Sequence, residues 1–269
     1  SQLVTGLQTV FPPTRDRYVF GPMFKLGWGT PTVVTVDLGI VIQFPSPVVI
    51  ALIGTISARF PDPDHAIVKI NIDIAGTLDT GEKTLAIDAS LRDSKIGTCD
   101  LAGDMALRLR WGDRPDFAFA IGGFHKAFKP PAGFPELRRL SLSLHGAIHR
   151  ITLAAYFAIT SNSLQLGARA ELYAEALGFN VFGYVEFHAL VIFDPFSFRI
   201  DFGAGLALRR GTSVIMSITV TGMLSGPGRW RVQGSASISI LFFEISISFD
   251  AQFGHTAGVE TTTGPLGQG

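Results

Sequence analysis

The chain has 269 residues, with 22 basic and 22 acidic side chains that balance in charge. This balance argues against a nucleic-acid partner or an anionic membrane patch, because both require clustered Lys and Arg. Hydrophobic residues make up 47% of the chain and charged residues only 16%, a composition that excludes disorder. The single cysteine, Cys99, excludes an intrachain disulfide and a cysteine metal cluster.

No signal peptide and no membrane-spanning helix are predicted. The N-terminal residues lack a basic flank leading into an apolar run. The longest apolar region, from Val48 to Ile56, is too short to cross a bilayer as a helix. The sequence is compatible with the cytoplasm and with a place in a larger exported assembly.

Apolar and polar residues alternate along nearly the whole chain. A period of two is typical of a half-buried β-strand, because successive side chains point to opposite faces. No stretch has the apolar spacing of an amphipathic helix, so we expect little helix. The alternating runs, in chain order, are Val34 to Phe44, Ile70 to Leu78, Leu101 to Trp111, Leu164 to Glu175, Phe179 to Phe193, Phe196 to Arg209 and Trp230 to Phe242.

Short turn sequences such as Pro61-Asp62-Pro63-Asp64 and Asp79-Thr80-Gly81 separate these runs. Short turns join antiparallel neighbours, because parallel strands need a long crossover. The sequence therefore predicts an all-β fold, a wide antiparallel meander of about 13–15 strands. One apolar face must be hidden, so we expect the sheet to curl into a barrel, flattened barrel or gutter with an apolar interior.

The domain organisation predicted is a single β domain over residues 1–253, followed by a flexible tail, 254–269. A loop over residues 124–135 joins two possible halves, 1–123 and 136–253. Its aromatic residues predict a plug for the end of a barrel, a gate to a pocket or a docking loop, since long loops in compact domains are often functional. These residues are Phe124, His125, Phe128 and Phe134.

Several phrases of the chain resemble a bacterial family of large β-rich proteins that carry a domain of unknown function. They are Gly122 to Leu140, Ile151 to Ile159, Phe193 to Phe198, Ala207 to Gly211 and Leu241 to Asp250. The resemblance covers about residues 30–253. It implies that the chain is a segment or short relative of a larger β-rich protein, and it brings no catalytic residue.

Motifs for nucleotides and metals are absent or incomplete. The segment from Gly76 to Thr84 is close to a phosphate-binding loop, but Glu82 interrupts the required Gly-Lys, and a hairpin turn is favoured. His145 and His149 would share a face of a continuous strand, yet no third zinc ligand lies near them in sequence. An exposed pair beside a turn at Gly146 is favoured. We expect no metal site and no cofactor.

Carboxylates are the remaining route to catalysis. A tight turn after Glu175 would bring Arg169 opposite Glu186, which is most simply a surface ion pair. A glycosidase-like pair of acids stays open as an alternative. Because no nucleophile–base pair is present, the chain is not expected to be an enzyme.

The leading functional hypothesis is a non-enzymatic module that binds or carries a hydrophobic, lipid-like ligand within a larger bacterial protein or assembly. A barrel of well over eight strands would leave apolar volume that its own side chains cannot fill. The residues expected to line the ligand are Phe179, Val181, Val185, Phe187, Phe198, Phe202, Ile238 and Ile240.

Two other classes stay open. A structural protein with a packed core would pair with a protein partner through edge strands near residues 30–44 or 244–253. A membrane β-barrel would place the apolar face outward; strand lengths near the roughly 9–11 residues that span a bilayer favour it, whereas the few Trp and Tyr disfavour it.

Overall fold

The computed structural model describes residues 16–254, and every regular element in this range is a β-strand. The 18 strands pair in antiparallel fashion in a single sheet, which confirms the predicted all-β meander. Between residues 16 and 254 there is no helix, and hence none long and apolar enough to cross a membrane. The predicted flexible tail lies outside the described residues, apart from Gly254.

The strands have the following bounds in chain order: β1 Tyr18–Phe20, β2 Met23–Trp28, β3 Val34–Phe44, β4 Val49–Phe60, β5 Val68–Asp79, β6 Thr84–Leu91, β7 Ser94–Ile96, β8 Cys99–Ala102, β9 Asp104–Arg110, β10 Asp116–Ile121, β11 Leu140–His145, β12 His149–Thr160, β13 Ser163–Ala176, β14 Phe179–Ile192, β15 Ser197–Arg210, β16 Ser213–Gly226, β17 Trp230–Ile240 and β18 Phe243–Phe253.

Four long strands of the sheet are each interrupted once. Strands β1 and β2 pair along the same side of β3, β6 and β7 along β5, and β10 and β11 along β12, while β8 and β9 continue each other opposite β7 and β6. Counting each interrupted pair once reduces the 18 strands to 14, within the predicted range. The loop between β10 and β11 therefore leaves and rejoins the same sheet position.

The part of the sheet formed by residues 16–254 has two edges. Within the described residues, β18 pairs only with β17, and β1 and β2 pair only with β3. The strands of residues 16–254 therefore do not by themselves close the sheet into a complete barrel. The prediction of an edge strand near residues 30–44 is wrong, because β3 pairs with β1 and β2 on the side away from β4. The edge expected near residues 244–253 is β18.

The register divides the sheet into two faces. We call one the apolar face; on β14 it carries Phe179, Val185 and Phe187. The other is the polar face, which carries Arg169 on β13 and Glu186 on β14. Because the antiparallel pairing is regular, residues of the apolar face lie opposite one another from strand to strand, and so do residues of the polar face.

Burial is the reverse of the expected arrangement. The largest fully buried side chains are His125, Gln165 and Ser163, and no phenylalanine in the described range is buried. On the apolar face, Val185 is 58% exposed and Phe187 40% exposed. On β14 the apolar face is thus more exposed than the polar face. A period of two shows which residues share a face, but the face that becomes covered depends on the element that docks on it.

An ion pair fixes the bend between β8 and β9. The Arg138 guanidinium donates to Asp104 at 2.7 Å and to the Ser90 hydroxyl at 2.8 Å. The hydrogen bonds from Arg138 lower the pKa of Asp104 to about 2. Because the unfolded carboxyl titrates near 3.9, this stabilisation is complete above about pH 4 and is lost as the pH falls through about 2.

Replacing Arg138 with Ala is therefore expected to lower the free energy of unfolding by about 1–2 kcal/mol at neutral pH, a value reduced for solvent screening of a half-exposed guanidinium. Urea unfolding at a series of pH values measures it, and the loss should shrink as the pH approaches 2. As a control, Arg231→Ala removes the pair with Asp250, whose carboxylate is 47% exposed against 16% for Asp104, and should change stability much less. A loss that does not change with pH would contradict this explanation.

Candidate functional site: an apolar groove on the open face

The apolar face carries a groove of about 480 Å³ across β8 and β11–β14. This volume lies within the roughly 300–1,000 Å³ of small-molecule sites. Apolar side chains from these five strands, together with Ile96 of β7, form its walls and floor. They include Leu101, Leu142, Leu153, Ala168, Val185 and Phe187.

The strand register explains the shape of the groove. Ala155 of β12 lies opposite Ala168 of β13, which in turn lies opposite Phe187 of β14. Small side chains at these neighbouring positions leave a depression, and the larger Leu153 and Val185 stand beside it. The groove is thus a direct consequence of alanines placed in register across two strands.

The surroundings of the groove are almost free of charge. On the described strands β12–β18, the apolar face carries no Asp, Glu or Lys. Arg210 lies at the far end of β15, with its guanidinium 5.6 Å from the Phe179 ring. The apolar face of these strands therefore offers mainly hydrocarbon contacts.

All eight residues predicted to line a ligand lie on the apolar face, but the structure does not gather them into one pocket. Val185 and Phe187 line the groove, and Phe202 lies opposite Phe187 on the next strand. Ile238 and Ile240 lie on β17, three strands from β14. Phe179 and Val181, at the start of β14, and Phe198, at the start of β15, line the same face away from the groove.

The apolar groove residues that sequence reasoning missed lie on β7, β8, β11, β12 and β13. The alternation Leu140-Ser-Leu-Ser-Leu144 is a clear strand signal that could have identified Leu142. Leu101 was recognised as apolar, but nothing local shows that it meets β11. That pairing depends on the loop between β10 and β11, which brings β11 beside β8.

The aromatic loop lies on the polar face, away from the groove. Phe124 contacts the rings of Phe128 and Phe134, with centroids 5.3 Å and 4.9 Å apart. Phe134 also lies 5.6 Å from the guanidinium of Arg108, a polar-face residue. These residues cover part of the polar face, and their role as a plug or gate stays a prediction.

His125 anchors this loop. Its backbone N–H donates to the Gln165 side chain at 2.9 Å, and its Nδ1 accepts from the Ala127 N–H at 3.1 Å. The ring proton therefore resides on Nε2, which lies 3.2 Å from Asp201 but outside hydrogen-bonding geometry. Burial lowers the pKa of His125, so the ring is neutral.

A second anchor joins Arg139 to Tyr156. Arg139 donates to the backbone oxygens of Gly122 and Phe124, at 2.7 Å and 2.8 Å, and its guanidinium lies 3.9 Å from the Tyr156 ring. The Tyr156 ring also stacks on the His188 ring, with the ring centroids 5.7 Å apart. Cation–π contact and backbone hydrogen bonds thus hold both ends of the loop on the sheet.

The predicted ion pair between Arg169 and Glu186 is confirmed. The two residues are opposite each other in the β13–β14 register, and Arg169 also donates to Glu171 at 2.6 Å. Arg169 contacts both carboxylates and balances the charge of one of them. Burial raises the pKa of Glu186, but the hydrogen bond and charge of Arg169 outweigh it, so the pKa is lowered. This arrangement is that of a surface ion pair.

The remaining motifs are structural. The segment from Gly76 to Thr84 contains the β5–β6 hairpin turn, where Asp79 accepts hydrogen bonds from the Gly81 and Glu82 N–H groups. His145 and His149 end and begin successive strands on either side of a turn. Among the residues described, no group of three or more His, Cys, Asp or Glu side chains could hold a metal ion.

Comparison with known proteins identifies a family. The model of a family described as a family of unknown function (DUF6603) matches residues 1–266. No curated protein and no solved structure matches the chain.

Proposed function

We propose that this chain, which belongs to the family of unknown function DUF6603, binds the hydrocarbon part of lipid-like molecules on its apolar face, with the groove of β8 and β11–β14 as the centre of the site. The observation that supports the proposal is the combination of a pocket of ligand size with a surrounding face that is half exposed and almost free of charge. Ordinary surfaces expose single apolar residues, whereas extended apolar patches mark binding sites.

The free energy of burying methylene groups favours ligands with an extended hydrocarbon chain over compact ligands. Each methylene removed from water contributes about 0.8 kcal/mol, so an extended chain of about ten methylenes gains enough to offset the cost of association. Two charged residues, Arg169 and Glu186, border the groove, but their side chains pair with each other on the polar face and do not select a headgroup. Affinity should therefore rise with chain length and change little between a free acid and an ester.

Filling the groove tests the proposal. Ala168→Phe is expected to weaken binding of a fluorescent fatty acid by about tenfold or more, because the new ring occupies the space of several methylenes. The matched control is Ala236→Phe, on the same face of β17 but outside the groove, which should leave the affinity unchanged. Fluorescence titration with probes of increasing chain length measures both.

Equal affinities for the two variants and the unsubstituted chain would exclude the groove as the site. Native mass spectrometry of protein purified without detergent gives an independent readout, because carried lipid adds discrete mass. A protein that binds no probe of any chain length would overturn the proposal as a whole.

A second candidate is insertion of the apolar face into a bilayer as part of a β-barrel closed by further strands. The observation that favours it is a charge-free outer face on strands such as β13, with 14 residues, together with a loop docked on the polar face. Open edges do not persist in hydrocarbon, so closure is required. Flotation with phosphatidylcholine vesicles tests it, and a monodisperse protein that stays unbound without detergent contradicts it.

A further inference from the structure

Strand β18 is a long edge without the usual protection. Every residue from Phe243 to Phe253 is exposed, and within the described residues the strand pairs only with β17. Its pairing runs without a register shift over its whole length, and it contains no Pro and no Lys. Native edges are normally blunted by such residues or by bulges, because unpaired backbone groups attract another strand.

The opposite edge is protected. Gly21 and Pro22 separate β1 from β2, and Lys25 lies in the middle of β2. Proline and lysine at an edge oppose pairing with another chain. The asymmetry between the edges disfavours head-to-tail pairing of β18 with β2 and leaves pairing of β18 with itself.

The turn before β18 determines which backbone groups are free. Leu241 and Phe242 form a two-residue turn, so Ile240 and Phe243 are a hydrogen-bonded pair. Alternate residues from the next position onward direct their N–H and C=O groups away from β17. These residues are Glu244, Ser246, Ser248, Asp250 and Gln252.

We propose that the partner of this edge is a second copy of the chain, paired antiparallel through β18 about a twofold axis at Ser248. In this register Phe243 lies opposite Phe253 of the copy, and Ile247 opposite Phe249. Apolar side chains then meet on one face and polar side chains on the other, which continues both faces of the sheet into the second copy.

Charge and length select this register. It uses all 11 residues of β18, and Glu244 meets the neutral Gln252. Moving the axis to Ile247 shortens the ladder and places Glu244 opposite Asp250, a repulsive pair of like charges. Moving it to Asp250 places that carboxylate opposite itself. Only the register at Ser248 combines full length with no like-charge contact.

Substitution at the axis is the test. Ser248→Pro removes an outward N–H, and proline is tolerated on an edge strand where the N–H does not serve the existing ladder. Size-exclusion chromatography with light scattering should give twice the 28.9 kDa chain mass for the unsubstituted protein and the single mass for Ser248→Pro. Ser248→Thr keeps the N–H and should remain a dimer, and circular dichroism confirms that each variant is folded.

Three results would overturn the proposal. The unsubstituted chain could be monomeric at every concentration, or Ser248→Pro could remain dimeric. A ladder of higher oligomers would indicate head-to-tail pairing. A dimer abolished by Val220→Asp, on the apolar face of β16, but retained by Ser248→Pro would identify contact between faces instead of edges.

Discussion

Replacing Gly122 with Ala is expected to lower the free energy of unfolding by about 3–5 kcal/mol, or to prevent folding. Gly122 has φ +70°, and a Cβ at this position would lie 2.5 Å from the Ala155 backbone oxygen and 2.8 Å from the Leu140 nitrogen. These atoms belong to the backbone of β12 and β11 and cannot move aside as a side-chain end can. The strain therefore acts where the loop leaves the sheet.

Gly133 provides the matched control for this prediction. It lies in the same loop with φ +76°, but a Cβ there would meet no atom within 4 Å. Gly133→Ala should therefore lose only the roughly 1–2 kcal/mol of a left-handed conformation. Urea unfolding curves of the two variants give the comparison, and equal losses would show that the close backbone contacts at Gly122 carry no penalty.

The architecture could be predicted because it depends on local signals. The alternation from Leu164 to Glu175 and from Phe179 to Phe193 identifies strands, and the short turn between them determines their pairing. The opposition of Arg169 and Glu186 follows from counting back from that turn. Local periodicity and turn length are sufficient for such features.

The covered face could not be predicted, because it depends on contacts distant in sequence. His125 docks on Gln165, 40 residues away, and Arg139 lies over Tyr156. The assumption that Phe and Leu must face inward follows the general hydrophobic rule. It fails here because the loop docks through hydrogen bonds on the polar face, which leaves the apolar face open to a ligand or another surface.

The interrupted strands are a second reason why the groove could not be predicted from local sequence. Gly103, with φ +148°, lies between β8 and β9, so the run from Leu101 to Trp111 is two strands with different neighbours. The sequence shows a continuous alternation through this point. Leu101 consequently joins β11 at the groove, while Met105 pairs with β6 and β10.

Two substitutions of Tyr156 are expected to change the free energy of unfolding in opposite directions. The side chain is 4% exposed, and its hydroxyl has no hydrogen-bond partner within residues 16–254. An unsatisfied buried hydroxyl is destabilising by about 1–3 kcal/mol, so Tyr156→Phe should stabilise the protein by about 1 kcal/mol. Tyr156→Ala removes the ring between Arg139 and His188 and should lower the free energy of unfolding by about 3–5 kcal/mol.

The pH dependence separates the hydroxyl from the ring. Burial raises the pKa of Tyr156 to about 12, above the value near 10 of an unfolded tyrosine. The stability that depends on Tyr156 remaining protonated is therefore fully present below about pH 10 and is lost as the pH rises through about 12. The advantage of Tyr156→Phe should grow over this interval in urea unfolding experiments, because phenylalanine has no proton to lose. A Phe variant less stable than the parent would show instead that the hydroxyl is satisfied, and that the loop is held by a hydrogen bond at this point as well as by the ring.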